Sequence, residues 1–270
     1  LIEPMSREEG GIAAMLARRT ADAERGAPPR DDLLAMLLAA REAERSDSDP
    51  DSSLPPLNDR WVRDEIMTLV LAGHETTASA LTWSWKLLAE HPAAEARMHA
   101  EVDALGGARL TMDDLSRLPY TRAVFDETLR LWPTIPFVFR RATQNVALGD
   151  EAPGVSLKSG EIVCLSPWVT QRDARWWESP QEFRPERWLG DVSREQRPRF
   201  AWFPFGGGAR VCIGEHFATA EAVLILATVA QRWRLALDDR YPMQWPARVD
   251  ATAPTRPPES WRVRVVSRAS

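Results

Sequence analysis

The stretch FGGGARVCIG, residues 205–214, joins three consecutive glycines to a cysteine and runs directly into an apolar helical segment. Glycines let the backbone fold tightly and expose amide N–H groups, which can hydrogen-bond a sulfur atom. The positive end of the following helix also favours the thiolate form of Cys212, which is the form that binds metal. The stretch therefore predicts either a loop that presents one thiolate to iron or a turn that carries a buried thiol. Arg210 adds a cation for an acidic cofactor edge.

Length and composition restrict the class of protein. At 270 residues the chain can form one large domain or two smaller ones. A hydrophobic content of 44% with a charged content of 27% indicates a soluble globular protein. The net charge of −5 argues against a nucleic-acid partner.

The cysteines and the first residues bear on the cellular compartment. Cys164 and Cys212 make no disulfide framework, so we expect a reducing compartment and a cytoplasmic protein. Cys164 lies in an apolar run and is predicted to be inert core. Residues 1–25 have mixed charge without a long apolar run, so they predict neither a signal peptide nor a membrane segment. Because the chain begins at Leu1, a membrane anchor in an upstream region stays open.

The periodicity of apolar residues predicts a mainly α-helical fold with a minor β region. Helices are predicted at 4–25, 31–45, 59–90, 93–105, 112–117, 120–131 and 215–233. The small β region is predicted to span 137–165, with strands at 146–148 and 162–165, and terminal strands are predicted at 234–237 and 261–266. Residues 168–188 are predicted to be a packed meander without regular structure. A Ser-, Asp- and Pro-rich stretch, 46–56, is predicted to be a flexible connector. We therefore expect a helical segment with a connector at 1–58 and a core at 59–270.

The long predicted helix contains AGHETT, residues 72–77. A glycine inside a helix costs about 1 kcal/mol relative to alanine, so Gly73 needs a reason. Small residues at Ala72 and Gly73 leave room for a flat ligand or a diatomic molecule. The Thr76 hydroxyl can bond the Ala72 carbonyl and leave a polar notch, where Glu75 and Thr76 could pass protons. The alternative is an ordinary helix with a solvated glutamate.

A second pattern pairs charges on one predicted helix. Glu127 and Arg130 stand three residues apart and share a helical face, so they can form an ion pair. Their neighbours are apolar, which favours a partly buried pair over a surface salt bridge. Arg187 could complete a buried charge network with them.

Taken together, these residues resemble the C-terminal portion of a cytochrome P-450, the family of haem-thiolate monooxygenases. Four motifs match in the family's order, and the match covers most of residues 59–233. The motifs are Ala72-Gly73-His74-Glu75-Thr76, Glu127 to Arg130, Pro185-Glu186-Arg187, and Phe205 to Gly214. The resemblance implies a cytochrome P-450 fold, truncated at its N-terminal side.

The resemblance also implies a role for each matching residue. Cys212 would be the proximal thiolate ligand of the iron of haem b, and Glu75 and Thr76 would be the catalytic acid and alcohol that relay protons to dioxygen. The other residues implied to bind the cofactor are Ala72, Gly73, Arg140, Phe205, Gly206, Arg210 and Gly214. Of these, Ala72 and Gly73 would form the oxygen groove, and Arg140 and Arg210 would hold the haem propionates.

The implied reaction inserts one oxygen atom from dioxygen into a small apolar substrate. Electrons would come from NAD(P)H through a ferredoxin or a flavoprotein reductase, which would dock near Arg197, Arg199 and Arg210. The segment around Glu127 is similar to that of fatty-acid and hydrocarbon hydroxylases, and Phe137 and Phe139 suggest an apolar channel.

The sequence departs from the family in two respects, and there are three alternatives to a monooxygenase. Gln171 stands where family members often have His, and family chains are longer on the N-terminal side. The chain could therefore be a truncated, non-catalytic haem-binding fragment or an interaction module. A haem-thiolate isomerase or dehydratase is disfavoured by Glu75 and Thr76. A zinc or thiol enzyme built on Cys212 lacks further Cys and His ligands.

Overall fold

A computed structural model describes residues 11–28, 30–46, 57–149, 154–190, 197–238, 240, 255 and 262–268. The chain divides into two compact units, 1–74 and 75–270. Its helices are α1 (Ile12–Glu24), α2 (Leu33–Ser46), α3 (Asp59–Glu90), α4 (Pro92–Asp103), α5 (Pro119–Leu131), α6 (Pro167–Thr170) and α7 (Glu215–Ala230). Its strands are β1 (Val138–Arg141), β2 (Val146–Ala147), β3 (Ser156–Leu157), β4 (Ile162–Leu165), β5 (Trp233–Leu237) and β6 (Val263–Ser267). The prediction of a mainly α fold with a minor β region is confirmed.

The first unit is formed by α1, α2 and the start of α3. Ile12, Leu34, Val62 and Ile66 form its buried apolar cluster. The side chain of Asn58 accepts a hydrogen bond from the Trp61 N–H at 3.0 Å, which caps α3 where the sequence predicts the helix to begin. The predicted helical residues 4–10 and most of the predicted connector, 47–56, lie outside the described residues. The predicted division of the chain after residue 58 stays a prediction.

The second unit has its core between the end of α3, α4, α5 and α7. Trp83, Leu88, Met98, Phe125 and Leu226 are almost completely buried there. Both α4 and α5 begin with a proline at their first position, where the missing N–H leaves no backbone hydrogen bond unmade. Nearly every residue of α5 is buried, including the charged residues Asp126, Glu127 and Arg130. Because α5 is buried, its polar side chains need hydrogen-bond partners within the protein.

The small sheets of the second unit are all two-stranded and antiparallel. β4 pairs with β1, with Val138 opposite Leu165 and Arg141 opposite Ile162, and the β2–β3 hairpin lies between them in the sequence. β5 pairs with β6. The predicted meander is confirmed except for α6 and a short 3₁₀ helix, Pro185–Trp188. Another short 3₁₀ helix spans Met112–Arg117, where the sequence predicts a helix.

Two expectations are wrong in this unit. The helix predicted to reach residue 233 ends at Ala230, because the chain turns there so that Trp233 can pair with Ser267 in β5–β6. Cys164 is exposed and not in the core, because β4 belongs to a two-stranded sheet whose side chains are mostly open to solvent. Strand β6 is confirmed from Val263, whereas residue 261 lies outside the described residues.

Candidate functional site

The loop that carries Cys212 is shaped by glycines with backbone angles that other residues avoid. Gly206 and Gly208 have φ of +76° and +69°, in the left-handed region. A 3₁₀ turn follows at Gly208–Arg210, and α7 begins three residues after the cysteine, at Glu215. The Cys212 N–H donates to the Phe205 carbonyl oxygen at 2.9 Å, which closes the loop on itself. The predicted site residues Phe205, Gly206, Arg210, Cys212 and Gly214 are thus brought together.

Gly207 leaves space for the Phe200 ring and has ordinary backbone angles. Its φ of −177° is extended backbone that any residue adopts. A Cβ atom placed there would lie 2.5 Å from the Cε1 atom of the Phe200 ring. A Cβ at Gly214 would lie 3.8 Å from the Cys212 sulfur, which is ordinary contact. The loop therefore packs directly against an aromatic ring on one side and against the thiol on the other.

The Cys212 thiol is exposed, so the alternative of a turn with a buried thiol is wrong, and the role of Cys212 as an iron ligand stays a prediction. Large apolar side chains close to Cys212 in the sequence are exposed to solvent: Val211 is 48% exposed, Ile213 91% and Phe217 72%. Arg210 is exposed as well. Contiguous exposed apolar side chains usually mark a surface that a ligand or partner covers. An apolar macrocycle with an acidic edge and a metal that takes a thiolate ligand fits this set of residues.

The remaining predicted site residues lie on α3 and β1. Glu75 and Thr76 are half-buried, whereas Ala72 and Gly73 are exposed on the part of α3 that belongs to the first unit. Apart from its chain neighbours and the backbone of α3, a Cβ atom placed at Gly73 would meet nothing within 4 Å, and the oxygen groove predicted there stays a prediction. Arg140 is exposed on β1 and donates to the Phe139 carbonyl oxygen at 2.9 Å. The predicted bond from the Thr76 hydroxyl to Ala72 stays a prediction.

The charge network predicted on α5 is present and fully buried. Arg130 binds Glu127 through two N–H groups, each with an N–O distance of 2.9 Å, and neither side chain is accessible to solvent. Arg187 donates its Nε–H to Glu127 at 3.0 Å, which confirms it as the third member. Arg130 also donates to the carbonyl oxygens of Gln171 and Pro180, at 2.9 and 2.7 Å. The network joins α5 to the predicted meander.

Two further contacts to Glu127 were missed by the sequence prediction. The Trp188 Nε1–H donates to one carboxylate oxygen at 2.9 Å, and the Arg184 N–H donates to the other at the same distance. The position of Trp188, next to Arg187 on one short 3₁₀ helix, was the available signal for the first of them. Glu127 is therefore satisfied by both charged and neutral donors, as a buried carboxylate requires.

Of the arginines proposed as a docking surface, Arg197 and Arg199 differ in their surroundings. The Arg197 guanidinium lies 4.5 Å from the centroid of the Trp177 ring and 5.0 Å from that of Trp188, and it donates to the Arg187 carbonyl oxygen at 2.7 Å. Arg199 is exposed and lies 5.2 Å from the Phe200 ring. Arg197 thus stabilises the packing of the meander, while Arg199 remains available to a partner.

A cavity of about 850 Å³ opens elsewhere in the second unit. Lys86, Trp132, Trp168, Arg172 and Phe183 are among its lining residues. None of the predicted site residues lines it.

The described residues contain no group of three or more His, Cys, Asp or Glu side chains that could hold a metal ion. Within the described ranges, none of the helices combines the length and apolar character needed to cross a membrane.

The structure is that of a mainly helical protein with small sheets, in which a glycine-shaped loop exposes the Cys212 thiol. The family model for cytochrome P450 matches residues 10–257 of this chain. The chain belongs to the cytochrome P450 family. The match covers both units.

Individual relatives agree with the family match. The chain is 44% identical over 207 residues to cyclooctatin synthase of Streptomyces melanosporofaciens, covering 76% of this chain and 42% of the relative. It is 39% identical over 219 residues to cyclooctat-9-en-7-ol 5-monooxygenase of the same organism, covering 81% and 44%. It is 38% identical over 184 residues to the chloroplastic protein LUTEIN DEFICIENT 5 of Arabidopsis thaliana, covering 67% and 30%. The chain thus spans less than half the length of each of these relatives.

Proposed function

We propose that this chain is the haem-binding, C-terminal portion of a cytochrome P450 monooxygenase, with Cys212 as the thiolate ligand of haem b. The observation that carries the proposal is the exposed Cys212 thiol, set among exposed apolar side chains on a glycine-shaped loop. When bound, haem supplies iron that activates dioxygen, and thiolate donation favours O–O cleavage.

The loop's own residues would hold the cofactor. Cys212 supplies the thiolate, and the exposed side chains of Ile213 and Phe217 supply apolar surface against which a macrocycle can pack. The exposed guanidinium of Arg210, and that of Arg140 on β1, supply positive charge for propionates. Phe205, Gly206 and Gly214 shape the backbone that presents these groups.

Glu75 and Thr76 would manage protons, and Ala72 and Gly73 would leave room on the same helix. The Thr76 hydroxyl can both donate and accept a hydrogen bond, and the Glu75 carboxylate can accept a proton from solvent and release it. Their half-buried position on α3 supports such a role, because each side chain keeps some contact with solvent. The open space at Gly73 supports the oxygen groove.

The substrate is proposed to be a small apolar molecule of the fatty-acid or hydrocarbon type. Phe139 is 51% exposed on β1, which supports an apolar lining on that segment. The relative named cyclooctat-9-en-7-ol 5-monooxygenase adds cyclooctat-9-en-7-ol as a first compound to test. The electron donor is proposed to be NAD(P)H, acting through a ferredoxin or a flavoprotein reductase that docks near the exposed Arg199 and Arg210. Both cysteines are free, which supports a reducing compartment such as the cytoplasm.

The test is the difference spectrum of the reduced protein with carbon monoxide after incubation with haem. It is recorded on this chain and on a chain extended upstream to the length of the relatives. A strongly red-shifted Soret band is expected, and it should disappear in Cys212→Ser but persist in Cys164→Ser, the matched control with an equally exposed thiol. A band that survives Cys212→Ser would overturn the ligand assignment.

The same experiment tests the alternative of a non-catalytic fragment. A red-shifted band only in the extended chain would mean that residues 1–270 carry the ligand loop without a working site. A band in neither chain would contradict the proposed function.

A further inference from the structure

We propose that Gln171 is a positioning residue for Cys212, because its side-chain amide ties the end of α5 to the backbone of the loop that presents the thiol. That Gln171 holds the loop is inferred from the contacts of Gln171 alone. The role of Cys212 as a haem ligand rests on the proposed function.

Gln171 is completely buried and uses both ends of its amide. Its Nε2 group donates to the carbonyl oxygens of Leu129 at 2.9 Å and Arg130 at 3.2 Å. These carbonyls belong to the last turn of α5, where no following helical N–H is available to them. Its Oε1 atom accepts a hydrogen bond from the Phe203 N–H at 2.9 Å. The two donors and the acceptor of one amide are thus all engaged.

Phe203 stands at the entry to the cysteine loop. Its carbonyl oxygen accepts a hydrogen bond from the Gly206 N–H at 2.9 Å, and the Phe205 carbonyl oxygen accepts one from the Cys212 N–H at the same distance. Consecutive hydrogen bonds therefore lead from the Gln171 amide through the turn at Gly206 to the backbone of Cys212.

A second tie runs parallel to the first. The Trp177 Nε1–H donates to the Ala201 carbonyl oxygen at 3.1 Å. The meander therefore also binds the segment before the cysteine loop, two residues before Phe203. Trp177 fixes a carbonyl and Gln171 fixes an N–H, and only Gln171 also binds the end of α5. Since Arg130 donates to the Gln171 backbone oxygen, the tie is anchored to the buried Glu127–Arg130 pair.

To make these three hydrogen bonds, the side chain at position 171 must carry two N–H donors and one acceptor. Met has nearly the volume of Gln but offers none of the three hydrogen bonds, so Gln171→Met removes the tie with little change in packing. Gln181, exposed on the same meander, provides the matched control in Gln181→Met.

The experiment is hydrogen–deuterium exchange of the chain without added haem, resolved to single amides. In the unsubstituted chain the Phe203 amide should exchange much more slowly than the rate expected for an unstructured amide. In Gln171→Met, exchange at Phe203, Gly206 and Cys212 should rise by about tenfold or more, while Leu226 in α7 stays protected. Gln181→Met should change none of these rates.

Two results would overturn the proposal. One is a Phe203 amide that exchanges as fast as an unstructured amide in the unsubstituted chain, a measurement that decides the matter even if Gln171→Met does not fold. The other is faster exchange in Gln171→Met that is confined to the end of α5, which would make Gln171 a helix-capping residue only.

A haem-loaded readout separates positioning from stability. Gln171→Met should show a smaller fraction of the red-shifted carbon monoxide band than Gln181→Met at equal haem content, because the thiolate is no longer held in place. An unchanged fraction would overturn the positioning role. If the unsubstituted chain shows no such band, the proposed function fails, while the exchange rates still decide whether Gln171 holds the loop.

Discussion

The indole rings of Trp83 and Trp132 are stacked, with ring centroids 3.8 Å apart and an angle of 8° between their planes. The stack joins the end of α3 to the residue that follows α5. Trp132 also meets the Trp168 ring edge-on at a centroid distance of 5.1 Å, and Trp83 donates its Nε1–H to the Thr255 carbonyl oxygen at 3.0 Å. One aromatic pair thereby connects four segments that are distant in the sequence.

Replacing Trp132 with Ala is expected to lower the free energy of unfolding by about 3–5 kcal/mol, because it removes a buried ring and leaves a cavity against Trp83. Urea unfolding followed by circular dichroism measures the change. Trp176→Ala, at a position where the side chain is 41% exposed, is the control and should have a much smaller effect. Equal losses in both variants would contradict the importance of the stack.

Glu127→Ala should destabilise the second unit by about 3–5 kcal/mol, since it leaves the buried guanidinium groups of Arg130 and Arg187 without their carboxylate. Glu178→Ala removes a carboxylate whose side chain is 85% exposed and should leave the unfolding midpoint unchanged. Chemical denaturation of both variants distinguishes a buried network from a surface one. A loss in Glu127→Ala no greater than in Glu178→Ala would show that the network contributes nothing to stability.

The stability of the second unit should fall as the pH drops from about 6.5 to about 4, in part because of His99. Burial, helped by the charge of Arg268, lowers the pKa of His99 from 6.5 to about 4. In this window the unfolded chain binds a proton at His99 that the folded chain does not, so acid favours unfolding. The Asp103 carboxylate acts to raise the pKa of His99 and the Arg234 guanidinium to lower it, and Arg234 also pairs with Glu95 at 3.2 Å. Burial raises the pKa of Glu95, which acts in the opposite direction.

The measurement is the difference in unfolding free energy between pH 7 and pH 5 for the unsubstituted chain and for His99→Gln. Because Glu95 is present in both proteins, its contribution largely cancels. The unsubstituted chain should lose more stability than His99→Gln. A loss of equal size in both would exclude His99 as the cause.

Thr76→Ala in the complete, haem-loaded enzyme should leave the carbon monoxide spectrum unchanged and increase the hydrogen peroxide released per NAD(P)H consumed. The hydroxyl that would position a proton is lost, while the ligand loop is untouched. Thr82→Ala is the control on the same helix, where the hydroxyl bonds only the Ala78 carbonyl oxygen at 2.7 Å. Tight coupling of NADPH use to product in Thr76→Ala would overturn the relay assignment.

Arg199→Glu should slow reduction by a redox partner, and the effect should shrink as the salt concentration rises, because exposed charges are screened. Arg109→Glu makes the same change of charge at another exposed position and should leave the rate unaltered. Stopped-flow reduction under carbon monoxide measures both rates. Arg197→Glu is unsuitable for this purpose, since Arg197 packs between two tryptophan rings and its loss would disturb the meander.

Local signals in the sequence predicted the parts of the fold that depend on neighbouring residues. Asn58 caps α3 because its side chain reaches an N–H three residues ahead. Glu127 and Arg130 pair because one helical turn brings them together, and the apolar residues around them indicated their burial. The glycines before Cys212 likewise indicated a tight loop that presents the thiol.

The sequence could not predict features that depend on distant backbone. The partner of β4 is β1, which lies in the predicted β region but carries no signal for the strand with which it pairs. The exposure of Cys164 follows from that pairing. The contacts of Gln171 join its side chain to two carbonyl oxygens and one N–H, and such groups are present at almost every residue, so no pattern of side chains indicates them.

The close approach of Phe200 to Gly207 determines which substitutions this loop tolerates. A library randomised at positions 200 and 207 together is expected to yield folded chains that keep glycine at 207, and double variants in which a larger residue at 207 is accompanied by a smaller side chain at 200. Position 209, where Ala209 is exposed, should accept many residues. An engineer who wishes to alter the surroundings of Cys212 should therefore diversify position 209 alone, and change positions 200 and 207 only as a pair.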